Sequence, residues 1–149
     1  MFVAQFDRIA EYNWLSKKFA DAVKNLYPHP VAIVTQQLFD PVLFNQFVVL
    51  NDTTIDIVTG KTENNYDTKF SCSIESYPIK SVQKISAEFS ETALIPNDKF
   101  DISALKQKLT ISFHGGQEIV IDYMKAHPYY LQALLKELDL FSKELKARM

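Results

Sequence analysis

The chain has 149 residues, of which 47% are hydrophobic, 13% aromatic and 23% charged, with a formal net charge of −2. That length fits one domain burying roughly 70% of its unfolded surface, and the charge balance gives no global field for nucleic acid or an anionic membrane. Cys72 is the only cysteine, which excludes an intramolecular disulfide, and no apolar run exceeds four residues, far below the roughly 20 of a membrane-spanning helix.

The first seven residues lack the basic and continuously apolar regions of a secretory signal, so a cytoplasmic location is expected. Residues 1–27 read as one N-terminal helix. Phe2, Phe6, Ile9, Tyr12, Leu15, Phe19, Ala22, Val23 and Leu26 recur at spacings of three and four, with Asp7, Arg8, Glu11, Lys17, Lys18 and Lys24 largely between them. Pro28 and Pro30 end it, because neither can continue the hydrogen-bond ladder. Val31 to Phe44 is open between two readings. Val31 to Thr35 suits a short buried strand, while Val31, Val34 and Leu38 also suit a helical turn.

From Phe47 the pattern is that of a β-meander. Phe47 to Leu50 is one strand, Asn51-Asp52 a turn, and Thr54 to Val58 the next, followed by a polar loop from Gly60 to Asn65. Phe70, Cys72 and Ile74 alternate with polar residues in a third strand, which points all three inward. Val82, Ile85, Ala87 and Phe89 mark a fourth, with Pro78 in the gap before it. Thr92 to Leu105 is a connector in which Asp101 is placed to cap a single helical turn.

Leu109 to Tyr123 can be read down to its register. A two-residue loop at Gly115-Gly116 splits the apolar residues between faces. A three-residue loop, His114-Gly115-Gly116, pairs Ile111 with Ile119 and Leu109 with Ile121. It gathers Leu109, Ile111, Phe113, Ile119, Ile121 and Tyr123 on one side, with Gly116 in the left-handed position. Beyond it, Pro128 suits the first position of a helix whose stripe is Leu131, Leu134, Leu135, Leu138, Phe141 and Leu145. The expected fold is therefore α+β: an N-terminal helix, a strongly bent antiparallel sheet of six or seven strands, and a C-terminal helix, in one domain over residues 1–149.

Three stretches carry a resemblance. Phe47 to Asp52 followed by Ile55 to Gly60 is similar to the first hairpin of bacterial pleckstrin-homology-like domains. Tyr77 to Ser86 resembles that family's strand start, in which a proline and an aliphatic residue precede an isoleucine-serine step, and Leu109 to Tyr123 with the final helix resembles its terminal hairpin and capping helix. The resemblance covers residues 45–147 and implies a partly open barrel of seven strands. Six are read here, and Val31 to Thr35 is where the seventh would lie; the N-terminal helix is additional to the family module. Phosphoinositide-binding members carry clustered Lys and Arg between their first two strands. Here that loop is Asn51-Asp52-Thr53, and residues 45–122 hold seven Lys and no Arg against eleven Asp and Glu. Membrane lipid is not the expected partner.

The chemical candidates read as structural. Cys72, in phase with Phe70 and Ile74, is a small buried hydrophobe with a raised pKa. His29, His114 and His127 fall in a Pro-flanked loop, a turn and a helix cap, without partners at ligand spacing, so no metal is expected. Asp98 with Asp101, Glu88 with Glu91, and Glu137 with Asp139 are near neighbours of the kind an acidic surface supplies. All three glycines are in turns, and no phosphate loop or cofactor is signalled. The aromatics Tyr12, Trp14, Tyr27, Tyr129 and Tyr130 gather near the two helices. They are either the seam along which the first helix packs, through Phe6, Phe19 and Leu26, or an exposed patch for a partner, with Trp14, Tyr12, Tyr129 and Tyr130 as its anchors.

The expectation is a non-catalytic protein-interaction or scaffolding module. Its contacts would run through a groove beside the C-terminal helix, or through self-association of the first helix into a homodimer. One alternative is a small-ligand binder or enzyme with a pocket between sheet and helix. Another is a secretion-chaperone-like dimer that holds a client segment.

Overall fold

Two apolar runs, Val31 to Val34 and Phe47 to Leu50, set the architecture, because a strand apolar at every position needs cover on both of its faces. The computed structural model, which describes residues 3–10, 14–39, 43–62, 71–91, 105–124 and 128–149, provides that cover. Helices α1 (Val3–Ala10) and α2 (Trp14–Leu26) precede strands β1 (Ala32–Phe39), β2 (Leu43–Leu50), β3 (Thr54–Thr62) and β4 (Ser71–Pro78). A 3-10 turn at Ile79–Ser81 leads to β5 (Val82–Glu91), β6 (Leu105–Phe113), β7 (Glu118–Asp122) and helix α3 (Pro128–Arg148). The chain is α+β. Every paired strand is antiparallel, in a four-stranded sheet ordered β1-β2-β3-β4 and a three-stranded sheet ordered β5-β6-β7.

The four-stranded sheet separates two cores. Ala32, Val34, Val48, Leu50 and Ile55 face the three-stranded sheet and α3. Their alternates Ile33, Phe47, Val49 and Val58 face α1 and α2, against Phe6, Ile9, Phe19, Ala20 and Val23. Val31 to Phe44, open in the sequence, thus supplies the seventh strand, and β2 begins at Leu43 rather than at Phe47.

The single N-terminal helix expected over residues 1–27 is two helices. In a continuous helix Phe6 and Phe19 would stand roughly 20 Å apart. Both rings instead pack on Phe47, with centroids 5.2 and 5.4 Å away, so α1 and α2 fold back on one another. The amphipathic period survives a reversal of direction, which is why the sequence does not reveal it. Leu26, expected in the seam, is exposed, and Val23 is the buried residue at that end of α2.

The third strand also departs from expectation. Cys72 and Ile74 are exposed rather than inward, because β4 is the outer strand of its sheet. They are paired with Gly60 and Val58 and so share the face on which α2 lies. Phe19 sits directly over Gly60, whose absent Cβ would stand 2.8 Å from the ring, and the cover fades beyond β3. Alternation identifies two faces of a strand, but the reach of the neighbouring layer decides which is buried. Pro78 closes β4 instead of lying outside it. Phe89 is in phase with the inner face of β5 yet largely exposed. Gly60 to Thr62, expected in a polar loop, belong to β3 because their backbone stays paired with β2; residues 63–70 with Phe70, residues 92–104 with Asp101, and His127 lie outside the described residues.

The terminal hairpin has the expected register, Ile111 with Ile119 and Leu109 with Ile121. Its three-residue loop is closed by bonds from Phe113 N–H to Gln117 C=O and from Gly116 N–H to Phe113 C=O, with Gly116 at φ 89°. Leu109, Ile111, Phe113, Ile119, Ile121 and Tyr123 are all buried, and Val120 faces outward. On α3, Leu131, Leu134, Leu138, Phe141 and Leu145 are buried, with Leu135 at the margin. Each fully buried side chain of this kind contributes about 1.5–3 kcal/mol.

Candidate functional site

The four residues expected to form an aromatic patch are distributed as follows. Trp14 opens α2 and Tyr129 lies in the first turn of α3, while Tyr12 is outside the described residues. Tyr130 is half-buried and packs against the main core. Tyr27, just past α2, donates from its hydroxyl to Asp56 Oδ2 at 2.7 Å, and Asn51 Nδ2 donates to the same oxygen at 3.3 Å. Burial first, then the bond and the charge of Asp56, push the Tyr27 pKa well above its ordinary value. Asp56 is itself buried on β3, beneath the end of α2, and this small cluster fastens α2 to the sheet.

A second polar cluster was not legible in the sequence. Arg8 of α1 is buried and makes a bidentate pair with Glu137 of α3, at 2.6 and 2.8 Å. Its guanidinium also donates to Thr35 Oγ1 at 2.9 Å. The carbonyl of Thr35 accepts from Tyr123 Oη at 2.8 Å, and that of Ile33 accepts from Gln5 Nε2 at 3.4 Å. Burial, and behind it the Glu137 carboxylate, push the Tyr123 pKa far up. Ile33 and Thr35 are the β1 residues whose backbone groups point away from β2. The outer edge of β1 is thus capped by side chains from α1 and from the end of β7.

The same seam joins the two sheets. Gln36 donates its side-chain amide to Val120 C=O at 3.1 Å and accepts from Asp122 N–H at 3.3 Å, so one amide stands in for a strand against β7. Arg8, 129 residues before Glu137 in the chain, carries no local signal of this role.

The opposite side of the molecule is different. From Ser71 to Ser76 every residue of β4 is exposed. The bond from Ile79 N–H to Thr53 C=O, at 2.9 Å, fixes which backbone groups face β3. By alternation those of Ser73, Glu75 and Tyr77 point to β3, and those of Cys72, Ile74 and Ser76 point away. Pro78, which lacks an N–H, occupies an outward position where no ladder bond is lost. Glu75, the only charged residue of this strand, accepts from Tyr77 Oη at 2.8 Å. Partial burial still pushes the pKa of the exposed Cys72 thiol up, which does not favour the reactive thiolate.

His29 and His114 are exposed. Among the described residues, no group of three or more His, Cys, Asp and Glu is placed to hold a metal ion, and no helix is long and apolar enough to cross a membrane. A depression of about 450 Å3 lies where the β5–β6 register shifts between Val82 and Lys84 and at the β6–β7 turn, lined by Gln83, Lys84, Ser112, Phe113, Gly116 and Glu118. Its lining mixes polar and apolar groups, and none of its lining residues belongs to α3. Among the described residues, the geometry therefore presents two braced polar clusters and an exposed outer strand, β4. No protein-family model, no curated protein and no solved structure matches this chain.

Proposed function

We propose that the chain is a non-catalytic protein-interaction module of pleckstrin-homology-like architecture, with β4 as the element that meets the partner. A four-stranded sheet, a three-stranded sheet and one closing helix in sequence order support that architecture. The buried and half-buried polar groups most able to carry chemistry, Arg8, Glu137, Tyr123, Tyr27 and Asp56, are engaged in bonds that hold helices and strands together, which supports a binding rather than a catalytic role. The observation that carries the reading is the exposure of β4 from Ser71 to Ser76. An exposed edge offers a row of backbone donors and acceptors that an extended segment can pair with.

The test is site-specific photo-crosslinking in cells, with a photo-reactive amino acid replacing Ser76 and, as a control on the outer face of α3, Lys136. Adducts enriched at Ser76 over Lys136 are the expected result. Equal yields at the two positions would remove β4 as the contact element.

A further inference from the structure

We infer that β4 pairs antiparallel with β4 of a second copy of this chain, about a two-fold axis through Ile74. The inference rests on the reading of β4 as the contact element and names its partner.

Register follows from the backbone. The outward groups of β4 belong to Cys72, Ile74 and Ser76, and Ile74 is their centre. A two-fold axis at Ile74 places Ile74 opposite its own copy and Cys72 opposite Ser76 of the other chain. All three pairs are then of the type that exchanges two hydrogen bonds. Sliding the axis to Ser73 loses the Ser76 pair. Sliding it to Glu75 sets the two carboxylates face to face, which is repulsive. With the axis at Ile74, Glu75 stands opposite Ser73 and Tyr77 opposite Ser71, so no like charges meet. Pro78, which has no outward N–H to offer, falls beyond the paired region.

Side chains agree with this register. Ile74 is 46% exposed, between Cys72 and Ser76 on one face of the strand, and pairing covers it with its own copy. Edges that must stay single are usually blunted by lysine, by bulges or by covering side chains. Here the β1 edge is capped by Gln5 and Tyr123, and the β7 edge is bridged by Gln36. The β5 strand carries Lys84, Glu88 and Glu91. β4 has only Glu75, already engaged with Tyr77. An interface of one strand pair belongs to the small class, under about 1,200 Å2, that gives weak and reversible association.

The test uses the full chain. Sedimentation equilibrium should show a monomer–dimer equilibrium with dissociation in the micromolar range or weaker, and Ile74→Lys should abolish the dimer while leaving the melting temperature unchanged. For the register, Ile74→Cys in a Cys72→Ser background should form a disulfide-linked dimer under mild oxidant. Directly paired Cα atoms in this arrangement are about 5.5 Å apart, within the range a disulfide spans. Ser73→Cys in the same background sets the two thiols a diagonal step apart and should crosslink at least tenfold more slowly. A chain that stays monomeric at millimolar concentration, a dimer that survives Ile74→Lys, or equal crosslinking at the two positions would overturn the inference. If the chain is monomeric but Ser76 still crosslinks selectively to other proteins in cells, self-pairing fails and the binding reading stands. If neither is seen, both fail.

Discussion

Removing Arg8 should cost far more than removing a surface arginine. Its guanidinium, 8% exposed, meets Glu137, 12% exposed, in a fork with oxygens at 2.6 and 2.8 Å. Arg8→Met leaves that carboxylate without its counterion and Thr35 Oγ1 without its donor. Breaking a buried pair from one side costs about 3–5 kcal/mol. Glu137 lies on α3 with a little solvent access, so the lower end applies, about 3 kcal/mol. At roughly 2–4 °C per kcal/mol for a domain of this size, the melting temperature should fall by about 6–12 °C. Arg8→Met combined with Glu137→Leu should recover most of the loss, because two apolar groups of similar volume can replace a buried pair at little cost. Urea denaturation followed by far-ultraviolet circular dichroism on both single variants and the double gives the coupling energy, expected at about 2 kcal/mol or more. Single-variant losses under about 1 kcal/mol without coupling would match an exposed pair and would refute the role of this pair in fastening α1 to α3.

Three further outcomes follow from the packing. Gly60→Ala places a methyl group 2.8 Å from the Phe19 ring and should destabilise by about 1–3 kcal/mol; Phe19→Leu in the same chain should relieve part of that loss, as measured by thermal melts of the three variants. Leu138→Asp sets an unpaired charge at a fully buried position beneath α3 and should unfold the domain; an unchanged melting temperature would contradict the packing of α3. Tyr123 and Tyr27 both have pKa values raised in the folded state, so folding favours their protonated forms. Their contribution is fully present below the unfolded tyrosine value of about 10 and is lost as pH rises above it. Denaturation midpoints measured across that range should fall, and Tyr123→Phe should flatten part of the decline.

Local sequence determined a good deal of this protein. The Leu109 to Tyr123 hairpin was legible to the residue, because a period of two, a three-residue loop and Gly116 at positive φ admit one register that gathers the apolar side chains. The stripe of α3 and its start at Pro128 were legible because the helical period and proline's missing N–H are local properties. Tertiary structure decided the rest. One amphipathic period over residues 1–27 serves a single helix and a folded-back pair equally well, and only the shared contact of Phe6 and Phe19 with Phe47 separates them. The outward turn of Cys72 and Ile74 depends on where the cover of α2 ends. The Arg8–Glu137 pair and the Gln36 bridge join positions far apart in the chain, so no local period records them. Whether a strand edge is capped or bare is set by which distant side chains reach it. The sequence therefore specifies the elements and their apolar faces, and the fold alone decides that the β1 edge accepts bonds from Gln5 and Tyr123 while, among the described residues, β4 is exposed.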